Sequence, residues 1–341
     1  DTQSLHQLRS LLAQVYPTAT VDDIIARIPG LLDQYRPLIK HTDYELSEKD
    51  VVLITYGDQV QKEGEFPLQT LQRFMNNQTE GLINSVHILP FYPYSSDDGF
   101  SVIDYYEVHP DWGNWDVVED MAASYRLMFD AVVNHISQES AWFKGFLAGE
   151  EKYANYFLED DPGKDYSQVV RPRVLPLLHD YVDSEGHTRY VWTTFSRDQV
   201  DINYRDPEVL LQVLDLLLFY ASKGAKLIRL DAIGFMWKED GTSCIHLPQT
   251  HNLIKVMRAV LAELVPDLIF ITETNVPHLE NISYFGNGFD EAQMVYNFTL
   301  PPLLAYSLLE GNGDKFTRWA QSLELPSAEV CFFNFRARHD G

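Results

Sequence analysis

Residues 226–231 read KLIRLD, an apolar run of strand type that carries Arg229 and Asp231 two positions apart. Side chains alternate faces along a strand, so these two point the same way. A buried charge without a partner is costly, and the pair therefore predicts either a structural ion pair at a strand end or a site. Other apolar runs also end in ionisable residues. RLMFDAVV leads from Asp130 to Asn134 and His135, LIFITE ends on Glu273, and EVCFFNF is followed by His339 and Asp340. Singly, a strand-end aspartate reads as a helix cap, a lone histidine as structural, and Glu273 as a surface carboxylate. Together, Asp231, Glu273 and Asp340 from three runs, with Arg229, His135 and His339, predict an active site. One carboxylate kept ionised by an arginine, beside another that can hold a proton, suits nucleophilic and acid–base chemistry.

Such residues need a scaffold that gathers strand ends. Seven β-type runs recur, at 51–57, 84–89, 126–133, 226–231, 268–273, 294–298 and 329–335. Helical patterns such as LQTLQRFM, WDVVEDMAAS, PEVLLQVLDLLLFYASK and HNLIKVMRAVLAEL separate them. Apolar strands alternating with helices imply a parallel sheet covered by helices, and this many units favour an α/β fold of the (β/α)8 TIM-barrel type. In such barrels reactive groups collect at the carboxyl ends of the strands, where each polar cluster falls. Residues 1–48 show helical spacing (Leu5, Leu8, Leu11, Leu12; Ile24, Ile25, Ile28, Leu31, Leu32) punctuated by Pro17 and Pro29, which predicts an N-terminal helical extension. The interval 136–205, rich in Asp, Tyr, Arg and Pro, is too long for a connecting loop and predicts an inserted small subdomain after the third strand. The expected layout is thus an extension (1–48), a first part of the barrel (49–135), the insertion (136–205) and a second part of the barrel (206–341).

Composition narrows the partners. With 26 Lys+Arg against 50 Asp+Glu the formal net charge is -24, which repels polyanions and excludes nucleic acid as a partner. Any anionic substrate must be held by local arginines. Two cysteines, Cys244 and Cys331, argue against a disulfide framework and fit a reducing cytoplasm. No apolar stretch is long enough for a membrane span, and DTQSLHQLRSLL reads as an amphipathic helix, not a signal peptide, so a cytoplasmic protein is expected. The first residue is Asp, which suggests a chain trimmed at its amino end. Sequons at Asn77, Asn281 and Asn297 carry no weight without a secretion signal. Nothing in the chain sets an oligomeric state.

DAVVNH (130–135), IRLDAIG (228–234), ITETN (271–275) and ARHDG (337–341) resemble, in order, the four signature regions of the α-amylase superfamily, glycoside hydrolase family 13. VLITYGD (52–58), HILPFYPYSSDDGF (87–100), RPRVLPLLHDY (171–181), GTSC (241–244) and LPPLL (300–304) resemble its sucrose phosphorylase subgroup, over about residues 50–341. Within that subgroup the helical extension, LPLLHDY, HLPQTH (246–251) and TETNVPHLENISYFG (272–286) look most like glucosylglycerate phosphorylases.

The resemblance implies a retaining α-glucoside phosphorylase that moves glucose from glucosylglycerate to inorganic phosphate, giving α-glucose 1-phosphate and glycerate, with no cofactor and no metal. A retaining transfer uses a carboxylate nucleophile and a carboxylic acid roughly 5 to 5.5 Å apart. Asp231 matches the nucleophile, Glu273 the acid/base and Asp340 the third carboxylate. Arg229 is expected to keep Asp231 ionised, and neighbouring carboxylates to raise the pKa of Glu273. Asp97, His135 and His339 match positions that grip the terminal glucose, Phe100 and Phe195 an aromatic wall beside it, and Gln199 a polar residue on the acceptor side. Arg173, in the group Arg171, Arg173 and Arg197, matches a phosphate contact; a loop ion pair with Asp180 or Asp165 is the other reading of RPR. Asn134 stands where amylases carry a calcium ligand, but the subgroup generally works without the metal. His246 and His251 lack metal-ligand spacing.

The chain also departs from the pattern. Phe235 stands where sucrose phosphorylases often carry Tyr, and Arg336 and Arg338 where the subgroup has small or aliphatic residues. Gly341 follows directly on the fourth signature region, so the final strand and a carboxyl-terminal domain are expected to be missing from this chain. The other readings are a sucrose or sucrose 6'-phosphate phosphorylase, a retaining α-glucosidase, and a non-catalytic barrel that only binds.

Overall fold

The computed structural model describes residues 2–79 and 81–339. All seven strand-like runs form strands of one parallel sheet. They are β1 (Val52–Thr55), β2 (Ser85–Ile88), β3 (Arg126–Ala131), β4 (Ala225–Leu230), β5 (Ile269–Thr272), β6 (Met294–Tyr296) and β7 (Cys331–Phe333), paired in sequence order. Alternation along these strands sorts their side chains into two layers. Leu127, Phe129, Ile228, Leu230, Phe270 and Val295 face outward into the large core shared with the helices. Met128, Leu227, Ile269, Ile271, Met294 and Tyr296 face inward and form a separate cluster. Val52 of β1 and Cys331 and Phe333 of β7 pack against that same inner cluster, so the sheet is curled and its two ends face a common interior. At the carboxyl end Tyr56, just after β1, meets His339, after β7, with ring centroids 6.5 Å apart. This is a (β/α)8-type barrel of which the described residues contain seven strands, with β1 and β7 unpaired to each other.

The outer layer includes α3 (Pro67–Gln78), α4 (Trp115–Ala122), α6 (Pro207–Ser222) and α7 (Pro248–Ala262). The amino-terminal helices α1 (Thr2–Ala13) and α2 (Thr18–Tyr35) pack on α7 and α6. Pro29 does not break α2, contrary to the sequence expectation. An interior proline costs about 3 kcal/mol, whereas each buried aliphatic side chain returns about 1.5–3 kcal/mol. Val21, Ile24, Ile28 and Leu32 form such a stripe, and Tyr35 closes it with a 2.9 Å bond to Asp215 of α6. Tyr44 and Leu46 then join the inner cluster, where Arg126 lies 3.8 Å from the Tyr44 ring centroid.

Two excursions lie above the carboxyl ends of the strands. After β2 a short antiparallel pair, Tyr94–Ser96 with Ser101–Val102, presents the turn 97–100. After β3 the chain enters the long interval through His135–Ile136 and leaves through Val200–Asp201, two segments that pair antiparallel with His135 opposite Asp201. Between them lie α5 (Ala141–Leu147) and a hairpin, Leu178–Val182 with Thr188–Trp192. The shared entrance and exit return residues 195–199 to the barrel mouth. Among the described residues no helix is long and apolar enough to cross a membrane.

Candidate active site

Arg229 and Asp231 share the inward face of β4, as their two-residue spacing predicts. The Arg229 Nη1 donates to Asp231 Oδ1 at 3.0 Å and to Asp130 Oδ1 on β3 at 2.6 Å. Its Nε donates to the Tyr296 hydroxyl on β6 at 3.1 Å, and its Nη2 stands 3.9 Å from Glu273. The guanidinium lies 5.6 Å from the Phe100 ring centroid and 5.7 Å from that of Tyr296. Asp130 takes a second partner, His87 Nε2 on β2, at 2.7 Å. Burial alone would raise the Asp130 carboxyl, yet His87 and Arg229 together hold it below the usual carboxylate range.

Asp231 departs from the expectation that Arg229 keeps it low. Burial pushes its carboxyl up to about 7 against the pull of Arg229, and the charges of Glu273 and Asp130 add to the rise. The reason is geometric: one guanidinium is divided among three carboxylates, and its shortest bond goes to Asp130. Asp231 and Glu273 are thus a pair of carboxylates that share one guanidinium.

The turn after β4 ties that pair together. Ala232 has φ 49°, a left-handed conformation that is rare for a residue with a Cβ. In it the Ala232 N–H donates to Glu273 Oε2 at 3.1 Å. The β4–β5 register, Leu230 opposite Thr272, brings positions 231 and 273 to neighbouring strand ends.

The positions expected to hold glucose gather beside this cluster. Asp97, also left-handed at φ 55°, accepts from Gln199 Nε2 at 2.9 Å and from Arg173 Nη2 at 3.2 Å. Gln199 further donates to the Phe100 carbonyl at 3.2 Å, so it stands beside Asp97 and Phe100. His135 is buried, with Nδ1 at 3.1 Å from Asn134 Nδ2 and Nε2 at 2.9 Å from the Phe100 carbonyl. A neutral imidazole meets both bonds, accepting at Nδ1 and donating at Nε2, and burial pushes its pKa down. Phe100 stacks on His339 at 5.1 Å, and Phe195 packs edge-on against Phe235 at 5.6 Å. Asp340 lies outside the described residues.

Of Arg171, Arg173 and Arg197, only Arg173 joins this group. It pairs with Asp97 and stands 5.7 Å from the Phe195 ring centroid. Arg197 is taken by Asp180, at 2.8 Å to its carboxylate and 2.6 Å to its carbonyl, and Arg171 is exposed on the surface. The ion pair considered for RPR with Asp180 is therefore not made: Asp180 is taken by Arg197, and Arg173 pairs with Asp97 instead. Of the two unexpected arginines near the end, Arg336 is exposed, whereas Arg338 stands 3.9 Å from Glu273 and 5.0 Å from the Phe298 ring centroid. His246 and His251 lie on either side of Tyr284: His251 stacks on its ring at 4.6 Å and His246 bonds its hydroxyl. A cavity of about 430 Å³ between the amino-terminal helices and α7 shares no residue with the strand-end cluster.

The alpha amylase catalytic domain matches residues 81–320. The chain belongs to the α-amylase family. A glucosylglycerate phosphorylase of Spirochaeta thermophila is 48% identical over 99% of this chain and 59% of its own length. One of Allomeiothermus silvanus is 54% identical over 86% of this chain and 53% of its own. The solved structure of sucrose 6F-phosphate phosphorylase from Thermoanaerobacter thermosaccharolyticum superposes with a TM-score of 0.77 at 26% identity, covering 87% of this chain and 60% of that one. The chain thus spans 53 to 59% of the length of these two curated relatives.

In this α-amylase-family site several residues escaped the sequence reading. His87 and Tyr296 sit at inward positions of β2 and β6, a parity that the alternation along NSVHIL and MVYNF contains. Lys238 and Asp201 form a buried ion pair at 2.8 Å, with His135 beside Asp201 across the paired segments. Nothing local marks that pair, because its members are far apart in sequence and meet only through the insertion.

Proposed function

We propose that the chain carries the glucosyl-transfer site of a retaining α-glucoside phosphorylase acting on glucosylglycerate. The observation that carries this reading is identity near one half to glucosylglycerate phosphorylases, sustained over 99% of the chain in one of them, including the helical extension. The sucrose 6F-phosphate phosphorylase shares the fold at only 26% identity, which ranks that donor second.

In this reading the Asp231 carboxylate attacks the anomeric carbon while Glu273 protonates the departing glycerate oxygen. A glucosyl ester on Asp231 forms and glycerate leaves. Phosphate then attacks the same carbon, Glu273 takes up its proton, the ester breaks, and α-glucose 1-phosphate is released with configuration retained. One feature supports the assignment: Arg229 and the Ala232 amide orient the two carboxylates. Asp340 would be the third carboxylate, holding sugar hydroxyls. Asp97, His135, His339 and Gln199 would line the glucose pocket, and Phe100 and Phe195 its aromatic wall. Arg173 would hold phosphate, a local cation in a chain of net charge -24. No cofactor or metal enters this scheme. We keep the division into extension (1–48), barrel (49–135 and 206–341) and insertion (136–205) as the working domain layout. The free thiols Cys244 and Cys331 suit a cytoplasmic enzyme.

The test is incubation of the whole protein with phosphate and, in turn, glucosylglycerate, sucrose and sucrose 6'-phosphate. Glucose 1-phosphate from glucosylglycerate is the expected result. Preference for another donor, release of free glucose, or no turnover would replace the reading with a sucrose-type phosphorylase, an α-glucosidase or a binding protein.

A further inference from the structure

We propose that Asp198 is a positioning residue, a carboxylate that touches none of the reacting groups but locks together three of the loops that carry the glucose contacts. The inference rests on the glucose pocket proposed above. Asp198 Oδ2 accepts from Ser95 Oγ and Ser96 Oγ, both at 2.5 Å. Its Oδ1 accepts from Ser137 Oγ at 3.1 Å and from the Gln138 N–H at 3.2 Å, and its carbonyl accepts from Ser101 Oγ. The partners come from two excursions, the turn after β2 (Ser95, Ser96, Ser101) and the exit from β3 (Ser137, Gln138). Asp198 itself belongs to the returning end of the insertion.

Five of the glucose candidates, all but His339 after β7, lie within three residues of one of these bonds. Asp97 follows Ser96, Phe100 precedes Ser101, His135 stands two before Ser137, Gln199 follows Asp198, and Phe195 stands three before it. The brace is needed because Asp97 and Asp98 are both left-handed non-glycine residues, at φ 55° and 50°, a backbone state that persists only when its surroundings hold it. Four donors converging on one carboxylate exceed what a local turn requires. Burial alone would raise this carboxyl, and the serine hydroxyls more than offset it, holding it below the usual range. The donors are thus arranged for a charged acceptor. An asparagine there would present an amide group to the Gln138 N–H, or lose one pair of hydroxyl bonds.

The test uses the whole protein with α-glucosyl fluoride, a neutral activated donor, and phosphate. Asp198→Asn is expected to lower kcat/KM about 10- to 100-fold through misplaced pocket groups. In an Asp97→Ala background the same change should cost less than in the parent, since one of the groups that Asp198 positions is already gone and residues acting through one another are not additive. A full loss repeated in that background, or an Asp198→Asn enzyme within twofold of the parent, overturns the proposal. Hydrogen exchange reads the brace without turnover: amides in 94–102 and 195–199 should exchange faster in Asp198→Asn, with 126–131 and 225–230 unchanged. Unchanged loops, or loosening of the strands as well, overturn it. Should Asp198→Asn fail to fold, Ser96→Ala and Ser137→Ala answer by the same criteria at about threefold each. A parent protein that makes no glucose 1-phosphate overturns the functional reading alone, and the exchange measurement still decides the brace.

Discussion

Arg229 and Arg173 both hold a carboxylate of the site, but they hold it by different means. Arg229 reaches Asp130, Asp231 and Tyr296 from a central strand, with all four residues buried and their spacing set by sheet register. Arg173 reaches Asp97 from a loop of the insertion, with 43% of its own side chain and 36% of its partner's exposed. The difference teaches a division of labour. Groups placed by strands keep fixed geometry, at the cost of burying more negative charge than one cation neutralises. Groups placed by loops depend on side-chain braces such as Asp198 and can exchange partners, as an anion contact must when its ligand arrives.

The sharpest way to break this comparison is to remove the strand-borne nucleophile candidate. Asp231→Ala should reduce glucose 1-phosphate formation by at least about 10⁴-fold, whereas Glu273→Gln should still trap a glucosyl-enzyme from an activated donor. Mass spectrometry of the intact protein would detect that adduct. An Asp231→Ala enzyme with a tenth of parental activity would move the nucleophile elsewhere.

Next in size, Arg229→Met leaves Asp130 and Asp231 buried with less compensation and should destabilise the fold by about 3–5 kcal/mol. Both carboxyls rise when the cation is lost, so the deficit measured by urea denaturation should be larger at pH 8 than at pH 5. A deficit independent of pH would assign Arg229 a packing role only.

Asp231→Asn tests the strain on the same residue from the other side. Its folded pKa, about 7, lies above the unfolded carboxyl value, so its favourable contribution is full below the unfolded pKa and is lost as pH rises through 7. The neutral variant should therefore gain on the order of 2 kcal/mol over the parent at pH 8, and little at pH 4. A gain at pH 4 that matches that at pH 8 would mean that burial does not strain the charge.

The smallest effect belongs to the loop side. Arg173→Ala should raise the KM for phosphate about tenfold, well beyond its effect on the donor, and change stability by less than about 0.5 kcal/mol. Equal rises in both KM values would leave Arg173 a purely structural role.

Much of the strand side is legible in the linear chain because strand parity is local. KLIRLD contains the shared face of Arg229 and Asp231, and seven apolar runs interrupted by helical patterns contain the parallel order. The same rule, carried through NSVHIL and MVYNF, would have reached His87 and Tyr296. The loop side is less legible. RPR and FSRDQ offer three candidate cations, Arg171, Arg173 and Arg197, and no periodicity says which one faces Asp97 and which faces Asp180. Pro29 shows the opposite error, a local signal overruled by a buried stripe on two neighbouring helices.

The sequence by itself determined which residues stand at strand ends and which face they share, because a period of two is set by the backbone within a few residues. Only the tertiary structure decided how charge is distributed among them. That Arg229 is divided among Asp130, Asp231 and Glu273, so that burial wins at Asp231, depends on the curl of the sheet across β3, β4 and β5. That Asp198 meets serines about 60 and 100 positions away depends on the path of the insertion. Electrostatic balance falls off over a few ångströms of space, and distances of that kind are fixed by packing, not by position along the chain.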